Sequence, residues 1–335
     1  MGSTAGEMFA TRRVAASRGV DEARQALSQV FLPLDFPSAR STSAVDLKLN
    51  ALKVGRVTCG YMTFRDPTQI ETTEPENYHV NIPTNGRAKM RAVLAAPVYA
   101  TRQTAGIFMP GRPVTLDIGE HFAQISLMFP RDELHLELAR LLGTEPSRPL
   151  AFQDAVDLET PGAQTLMQVL RSIDEASSDE KGILAHPLAT QRLEQVLIQS
   201  LLFAQPHNYS PALDGPVPAA GPGPVSRAVE LLRSTPDHPW TATELASAVS
   251  LSVRSLQEGF RRVLDTTPMT YLRRMRLEKV RGELLAVSPG TLGVTEVAMR
   301  WGFVHLGRFA STYREAYGEL PSETARAARG SRTLG

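Results

Sequence analysis

Two short stretches carry side chains of the types that read nucleic acid. Arg254, Ser255, Gln257, Glu258 and Arg261 lie within eight residues of sequence, and His305, Leu306, Gly307, Arg308, Ser311, Thr312 and Arg314 lie within ten. An arginine can span O6 and N7 of guanine, a glutamine N6 and N7 of adenine, and a glutamate can accept from cytosine N4. Arg308, Gln257 and Glu258 are the candidates for those three contacts. Arg261, Arg262 and Arg314 suit phosphates, which set register without reading sequence. Such groups reach base edges from the N-terminal end of a helix laid in the major groove, so the elements that carry them decide the reading.

Each stretch sits at the second half of a helix, tight turn, helix pattern. The first pattern is Thr243-Glu-Leu-Ala-Ser-Ala-Val-Ser-Leu-Ser252 and the second is Val294-Thr-Glu-Val-Ala-Met-Arg-Trp-Gly-Phe303. A small residue must stand where the helices cross, and Ala246 and Ala298 fill that place. The turn favours a residue that tolerates positive φ. Gly302 fits; Ser250 departs, at a cost of about 1 kcal/mol. Leu251 and Phe303 then plug the core from inside the turn. Leu256, Phe260 and Val263 form one face of the first following helix, and Phe309, Tyr313 and Ala316 form that of the second. Between the two patterns, Tyr271, Leu272, Met275, Val280 and Leu284 predict a long amphipathic helix. Its Arg273, Arg274, Arg276, Lys279 and Arg281 are either a solvated face or phosphate contacts. Two matched patterns 52 residues apart weigh against ordinary surface arginines on packing helices.

The segment from about 225 to 330 resembles the DNA-binding domain of the AraC/XylS family of bacterial transcription regulators. The resemblance rests on Ala298-Met-Arg-Trp-Gly-Phe-Val-His-Leu-Gly-Arg-Phe-Ala310 and on Tyr313-Arg-Glu-Ala-Tyr-Gly-Glu-Leu-Pro-Ser322. It covers about a third of the chain. It implies seven helices with two helix-turn-helix units, at about 244–265 and 294–317, entering successive major grooves on one face of double-stranded DNA.

Charge is distributed accordingly. The 335 residues sum to only +1, but residues 225–335 hold sixteen Lys and Arg against eleven Asp and Glu, leaving the rest of the chain acidic. A basic third over the helical patterns is the electrostatic footprint that DNA requires. The single cysteine, Cys59, allows no internal disulfide and fits a reducing, cytoplasmic compartment. No apolar run is long enough to span a membrane.

Upstream, residues 1–20 read as loosely ordered, and Asp21 as the cap of a short helix through Val30. Short, partly alternating runs from Ala44 to Phe129, punctuated by Gly, Pro and Asn, predict a β-barrel or sandwich. After Pro130 the period changes, and 132–142, 163–175 and 188–204 predict helices. In the last of these, Leu193, Val196, Leu197, Leu201 and Leu202 make a stripe that could pack on the barrel, form a dimer interface, or both. Residues 206–224, with six Pro and three Gly, read as an extended linker free of helix and sheet. The fold class is therefore α+β. A barrel (about 44–130) with helices (131–205) makes an N-terminal domain over 1–205, and an all-α domain follows over 225–330; the resemblance implies that the barrel is cupin-like and that the helices serve dimerisation. The resemblance implies the same division, with the N-terminal half binding an effector. Phrases such as Tyr78-His-Val-Asn-Ile-Pro-Thr-Asn-Gly86 look like those of XylS-like members, which answer to small aromatic compounds and activate catabolic operons.

The histidines form no ligand-spaced cluster, so no metal is expected. There is no nucleophile elbow or phosphate loop, and no cofactor is implied. Tyr61, Tyr78, His79, Arg102 and His121 lie on or near predicted strands, as pocket groups or as packing residues, and no effector-binding residue is assigned among them. The expected function is a ligand-responsive activator of a catabolic operon for a small aromatic or phenolic compound. It would act as a homodimer, with promoter DNA, an effector and RNA polymerase as partners. The alternatives are a partner-gated or repressing regulator without effector, and a cupin enzyme fused to a DNA-binding domain.

Overall fold

The computed structural model describes residues 6–37, 44–179, 181–215, 223–286 and 293–330. The chain divides into two compact units, Met1–Leu142 with Arg148–Pro218, and Gly143–Ser147 with Ala219–Gly335.

The first unit opens with β1 (Arg13–Gly19), α1 (Val20–Val30), β2 (Leu34–Asp35), β3 (Ala44–Val54), β4 (Val57–Phe64) and β5 (Thr68–Thr72). It continues with β6 (Tyr78–Asn85), β7 (Ala88–Ala92), β8 (Val98–Ala100), β9 (Thr104–Phe108), β10 (Val114–Ile118) and β11 (Phe122–Phe129). Then come α2 (Arg131–Leu142), β12 (Ala155–Asp157), α3 (Pro161–Ser177), α4 (Pro187–Ala204) and the single turn α5 (Ser210–Leu213). Seven strands form one sheet in the order β1-β3-β4-β11-β6-β9-β12, and five form a second in the order β2-β5-β10-β7-β8.

The sheets do not close into the expected barrel. The larger sheet ends at β1 and β12 and the smaller at β2 and β8. Burial explains why closure is unnecessary. β4 and β11 are buried at almost every position, whereas β7 alternates between buried and exposed. A sheet covered on both faces by other layers has no need to curl upon itself. On its inner face Met62, Phe64 and Phe122 meet Ile70, Met90 and Leu116 of the smaller sheet and Leu27 of α1. On its outer face Cys59, Tyr61, Ile125 and Leu127 meet Leu138, Leu170, Leu197 and Leu201 of the helices.

Three local expectations are corrected. Residues 1–5 lie outside the described residues; beyond them Met8 and Phe9 are buried and β1 pairs with β3, so residues 8–19 are fastened to the first unit. Helix α1 begins at Val20 without a side-chain cap, and Asp21 stands in its first turn. Of the expected linker, residues 216–222 lie outside the described residues, while 206–215 hold α5 and a bridge from His207 to Phe152. That stretch is fastened: the Asn208 side chain accepts from Ala151 N–H at 3.0 Å and donates to the Pro149 carbonyl at 2.9 Å.

Four of the five strand candidates for a pocket point elsewhere. Tyr61 lies in the outer core. Tyr78 donates to the Leu150 carbonyl at 2.8 Å and stands 3.2 Å from His135 Nε2. Arg102 and His121 are exposed. His79 faces the space between the sheets.

Among the described residues the second unit is all helix: α6 (Pro224–Ser234), α7 (Ala242–Ala248), α8 (Val253–Leu264), α9 (Pro268–Ala286), α10 (Val294–Arg300), α11 (Leu306–Tyr317) and α12 (Pro321–Gly330). Tyr271, Leu272, Met275, Val280 and Leu284 of α9 are buried as the periodicity requires, with Leu277 added. Leu256, Phe260 and Val263 of α8 are buried too. On α11 the buried face runs from Phe309 to Tyr313 and on to half-buried Tyr317, whose ring stands 4.6 Å from that of Tyr313. The expected third member, Ala316, is exposed. The spacing i, i+4, i+8 keeps Tyr317 over the core and turns Ala316 away. Among the described residues no helix is long and apolar enough to cross a membrane.

Candidate nucleic-acid interface

The α7–α8 and α10–α11 pairs are joined by the same backbone device. In the first, Leu251 N–H donates to the Ala246 carbonyl at 2.9 Å and Ser250 N–H to the Ser247 carbonyl at 3.1 Å. In the second, Phe303 N–H donates to Ala298 at 3.0 Å and Gly302 N–H to Met299 at 2.9 Å. This is the Schellman pattern of one six-to-one and one five-to-two bond, closed by a left-handed residue. Ser250 and Gly302 supply that residue, with φ of 59° and 79°. Ala246 and Ala298 are both buried, and Leu251 and Phe303 are half-buried behind the turn. The far ends match as well: Asp265 closes α8 and Gly318 closes α11, with φ of 53° and 72°. Asp is one of the few non-glycine residues that enter this region readily; Ser250 pays for it with strain.

On α8 the predicted residues share an exposed face. Arg254, Ser255, Glu258 and Arg261 are exposed and Gln257 is half-buried. Ser252 caps the helix by accepting from Ser255 N–H at 3.0 Å, and the two hydroxyls are 2.8 Å apart. Arg254 Nε donates to Glu258 Oε1 at 2.9 Å. That exposed pair is worth only about 0.3–0.5 kcal/mol, so DNA can part it.

At α11 five of the seven predicted residues, His305, Gly307, Arg308, Ser311 and Thr312, line one cleft of about 520 Å³ together with Arg273 and Arg276 of α9, and Leu306 and Arg314 stand outside it. His305 stands at the start of the helix with no side-chain cap. Gly307 leaves open space where a Cβ would be. The hydroxyls of Ser311 and Thr312 donate back to the carbonyls of Gly307 and Arg308, at 3.2 and 2.8 Å. Arg308 and Arg314 are exposed. Leu306 differs from the rest: half-buried, it packs against the cluster that holds Val297, Phe309 and Tyr313. Val304, which the sequence reading passes over, is 72% exposed beside His305 and lines the same cleft. Its signal was an apolar residue directly after the plug Phe303.

The basic run on α9 divides. Arg273 and Lys279 are exposed. Arg276 is committed to the fold, donating from Nε to the Pro236 carbonyl and from Nη2 to the His238 carbonyl, each at 2.7 Å. Arg281 pairs with Glu319 at 2.8 Å and lies 4.5 Å from the Tyr317 ring centre. Glu319 also accepts from Thr324 Oγ1 at 2.7 Å, which leaves Tyr313 O–H to donate to that threonine at 2.9 Å. The closing Gly-Glu-x-Pro-Ser motif is therefore a structural lock: Gly318 reverses the chain, Glu319 ties three helices together, and Pro321 starts α12.

Residues 23–203 match the family described as the AraC-binding-like domain, and residues 245–327 match a helix-turn-helix domain family. The chain is 32% identical over 313 residues to the probable thc operon regulatory protein of Rhodococcus erythropolis, covering 92% of this chain and 94% of that one. It is 46% identical over 82 residues to the XylDLEGF operon transcriptional activator of Pseudomonas putida, a match that spans 24% of this chain and 26% of that protein. A solved structure, the AraC-like transcriptional activator CuxR, aligns over 81% of this chain and 94% of its own at 14% identity, with a TM-score of 0.44.

A Cβ on Gly302 would lie 2.8 Å from Arg276 Nη1, whose guanidinium is pinned by two carbonyls. Gly302→Ala is therefore expected to lower stability by about 1–3 kcal/mol, whereas Ser250→Gly should leave it unchanged or raise it by up to about 1 kcal/mol. Thermal denaturation checks both; an unchanged melting temperature for Gly302→Ala would refute the shared-turn account.

Proposed function

Because the chain belongs to the AraC family of transcription regulators, we propose that it holds its operator through two helix-turn-helix units set in successive major grooves. It is a DNA-binding regulator and not an enzyme. In this reading α8 and α11 are the recognition helices. Arg308 reads guanine, Gln257 adenine and Glu258 cytosine, while Ser255, His305, Ser311 and Thr312 contact base edges or the adjoining backbone. Arg254 joins the base-edge contacts at the start of α8, and Arg261, Arg262 and Arg314 neutralise phosphates. The observation that carries the reading is the repetition of one Schellman turn at Ser250 and Gly302, each followed by a helix with an exposed polar N-terminal face.

The same proposal makes the protein a cytoplasmic, ligand-responsive activator of a catabolic operon that also contacts RNA polymerase. Support for activation comes from the Pseudomonas putida operon activators that match the helical region, and support for operon control from the Rhodococcus protein that matches nearly the whole chain. An effector acts by preferring one of two states, and its coupling to DNA affinity is reciprocal.

A second copy of the chain is the proposed partner of α4. Leu197, Leu201 and Leu202 face the core, while Leu188, Val196 and Phe203 are 79%, 42% and 60% exposed. Their spacing, i, i+8 and i+15, places them on one stripe of the helix.

Arg308→Ala is expected to weaken operator binding by about 1–3 kcal/mol and to relax preference at one base position; binding-site selection with wild type and variant reads both. An unchanged preferred sequence would count against the contact. The double variant Val196→Asp, Phe203→Asp should convert dimer to monomer in sedimentation, with its melting temperature kept; a persistent dimer would move the interface elsewhere.

A further inference from the structure

The two sheets of the first unit leave a gap with a physical origin in sequence. One row across the inner face of the larger sheet is built of small side chains: Gly60 pairs with Ser126, Ser126 with Asn81, and Asn81 with Gly106. The rows beside it carry Met62 and Phe108. Over this row lies a cavity of about 60 Å³. Its floor is His79, Asn81, Gln124 and Ser126, and its roof includes Ile70 and Leu116 of the smaller sheet.

Two properties define what the cavity could hold. Among the described residues the lining carries no Lys, Arg, Asp or Glu, and burial pushes the His79 imidazole down to about 4, so it is neutral at pH 7. A carboxylate would be buried there without a counter-charge, which is costly. The floor, moreover, is incompletely bonded. Ser126 Oγ donates to Asn81 Oδ1 at 2.7 Å and accepts from Gln124 Nε2 at 2.9 Å. Gln124 is 2% exposed, yet its Oε1 has no partner among the described residues. An orphaned buried acceptor calls for a donor.

We propose that this cavity binds a small uncharged molecule with a compact apolar body and one N–H or O–H donor set on Gln124 Oε1, to the exclusion of carboxylates. The inference rests on reading the first unit as the effector-binding half, and it assigns that half its ligand class. The wall that yields is Phe31. An engineered apolar cavity that holds benzene measures about 150 Å³, so a ring-sized guest needs more room than is open here. Phe31 is half-buried just past the end of α1, its ring 6.5 Å from that of His79. It lies directly over Gly60, where a Cβ would stand 2.5 Å from its Cζ.

Benzamide and benzoate test the proposal, being nearly isosteric and differing in charge and in the donor. Both are titrated into the full-length protein with ligand-observed NMR as the readout. Benzamide is expected to bind at least about tenfold more tightly than benzoate. Gln124→Met should weaken benzamide by roughly five- to tenfold while melting at or above the wild-type temperature. Phe31→Ala should tighten benzamide several-fold. Benzoate bound as well as benzamide, indifference to Gln124→Met in a folded variant, or benzamide bound by neither wild type nor Phe31→Ala would each overturn the site and leave the effector reading standing. Benzamide bound as described with operator affinity unchanged would strike the effector reading and leave the site.

Discussion

One backbone constraint governs the second unit: between a buried alanine and the next helix, the chain must reverse through a left-handed residue. Ser250 and Gly302 meet it, and the two bonds that flank each of them satisfy the carbonyls that a helix end leaves open. The turn so closed sets how α8 leaves α7 and how α11 leaves α10. Arg276 makes the constraint collective. It leaves the middle of α9, binds the carbonyls of Pro236 and His238 ahead of α7, and presses on the Gly302 turn. A residue that sequence reading could assign to phosphate instead fixes the first helix pair and the second to one helix.

The helical half was legible because its signals are local. Alanine at the crossing, a φ-permissive turn residue and an apolar plug fall within six residues, and the periodicity of α8 and α9 follows the helix repeat. What the sequence reading missed there depends on partners distant in the chain. Leu306 turns into the core because Val297 and Phe309 are there to receive it. Ala316 gives its expected place to Tyr317, whose ring packs tilted against that of Tyr313 and receives Arg281. No local pattern announces either.

The first half was less legible for the opposite reason. Its central strands are buried on both faces, so β4 and β11 show little of the alternation by which strands are read. The alternation in Ala88-Lys-Met-Arg-Ala92, by contrast, marks β7 plainly. Whether a set of antiparallel strands closes depends on what covers its faces, which strand patterns alone do not encode; α2, α3 and α4 supply that cover. The row Gly60, Ser126, Asn81 and Gly106 exists only once register is known, which is why His79 could be noticed in the sequence but Gln124 could not.

The central claim is that one chain holds DNA through two matched helix pairs. Hydroxyl-radical footprinting of the full-length protein on its operator tests it most directly. The account predicts, per protomer, two protected patches on one face of the duplex, about one helical turn of ten base pairs apart, with Arg308→Ala thinning one patch and leaving the other. A single protected patch per protomer, or loss of both patches together at unchanged occupancy, would contradict it.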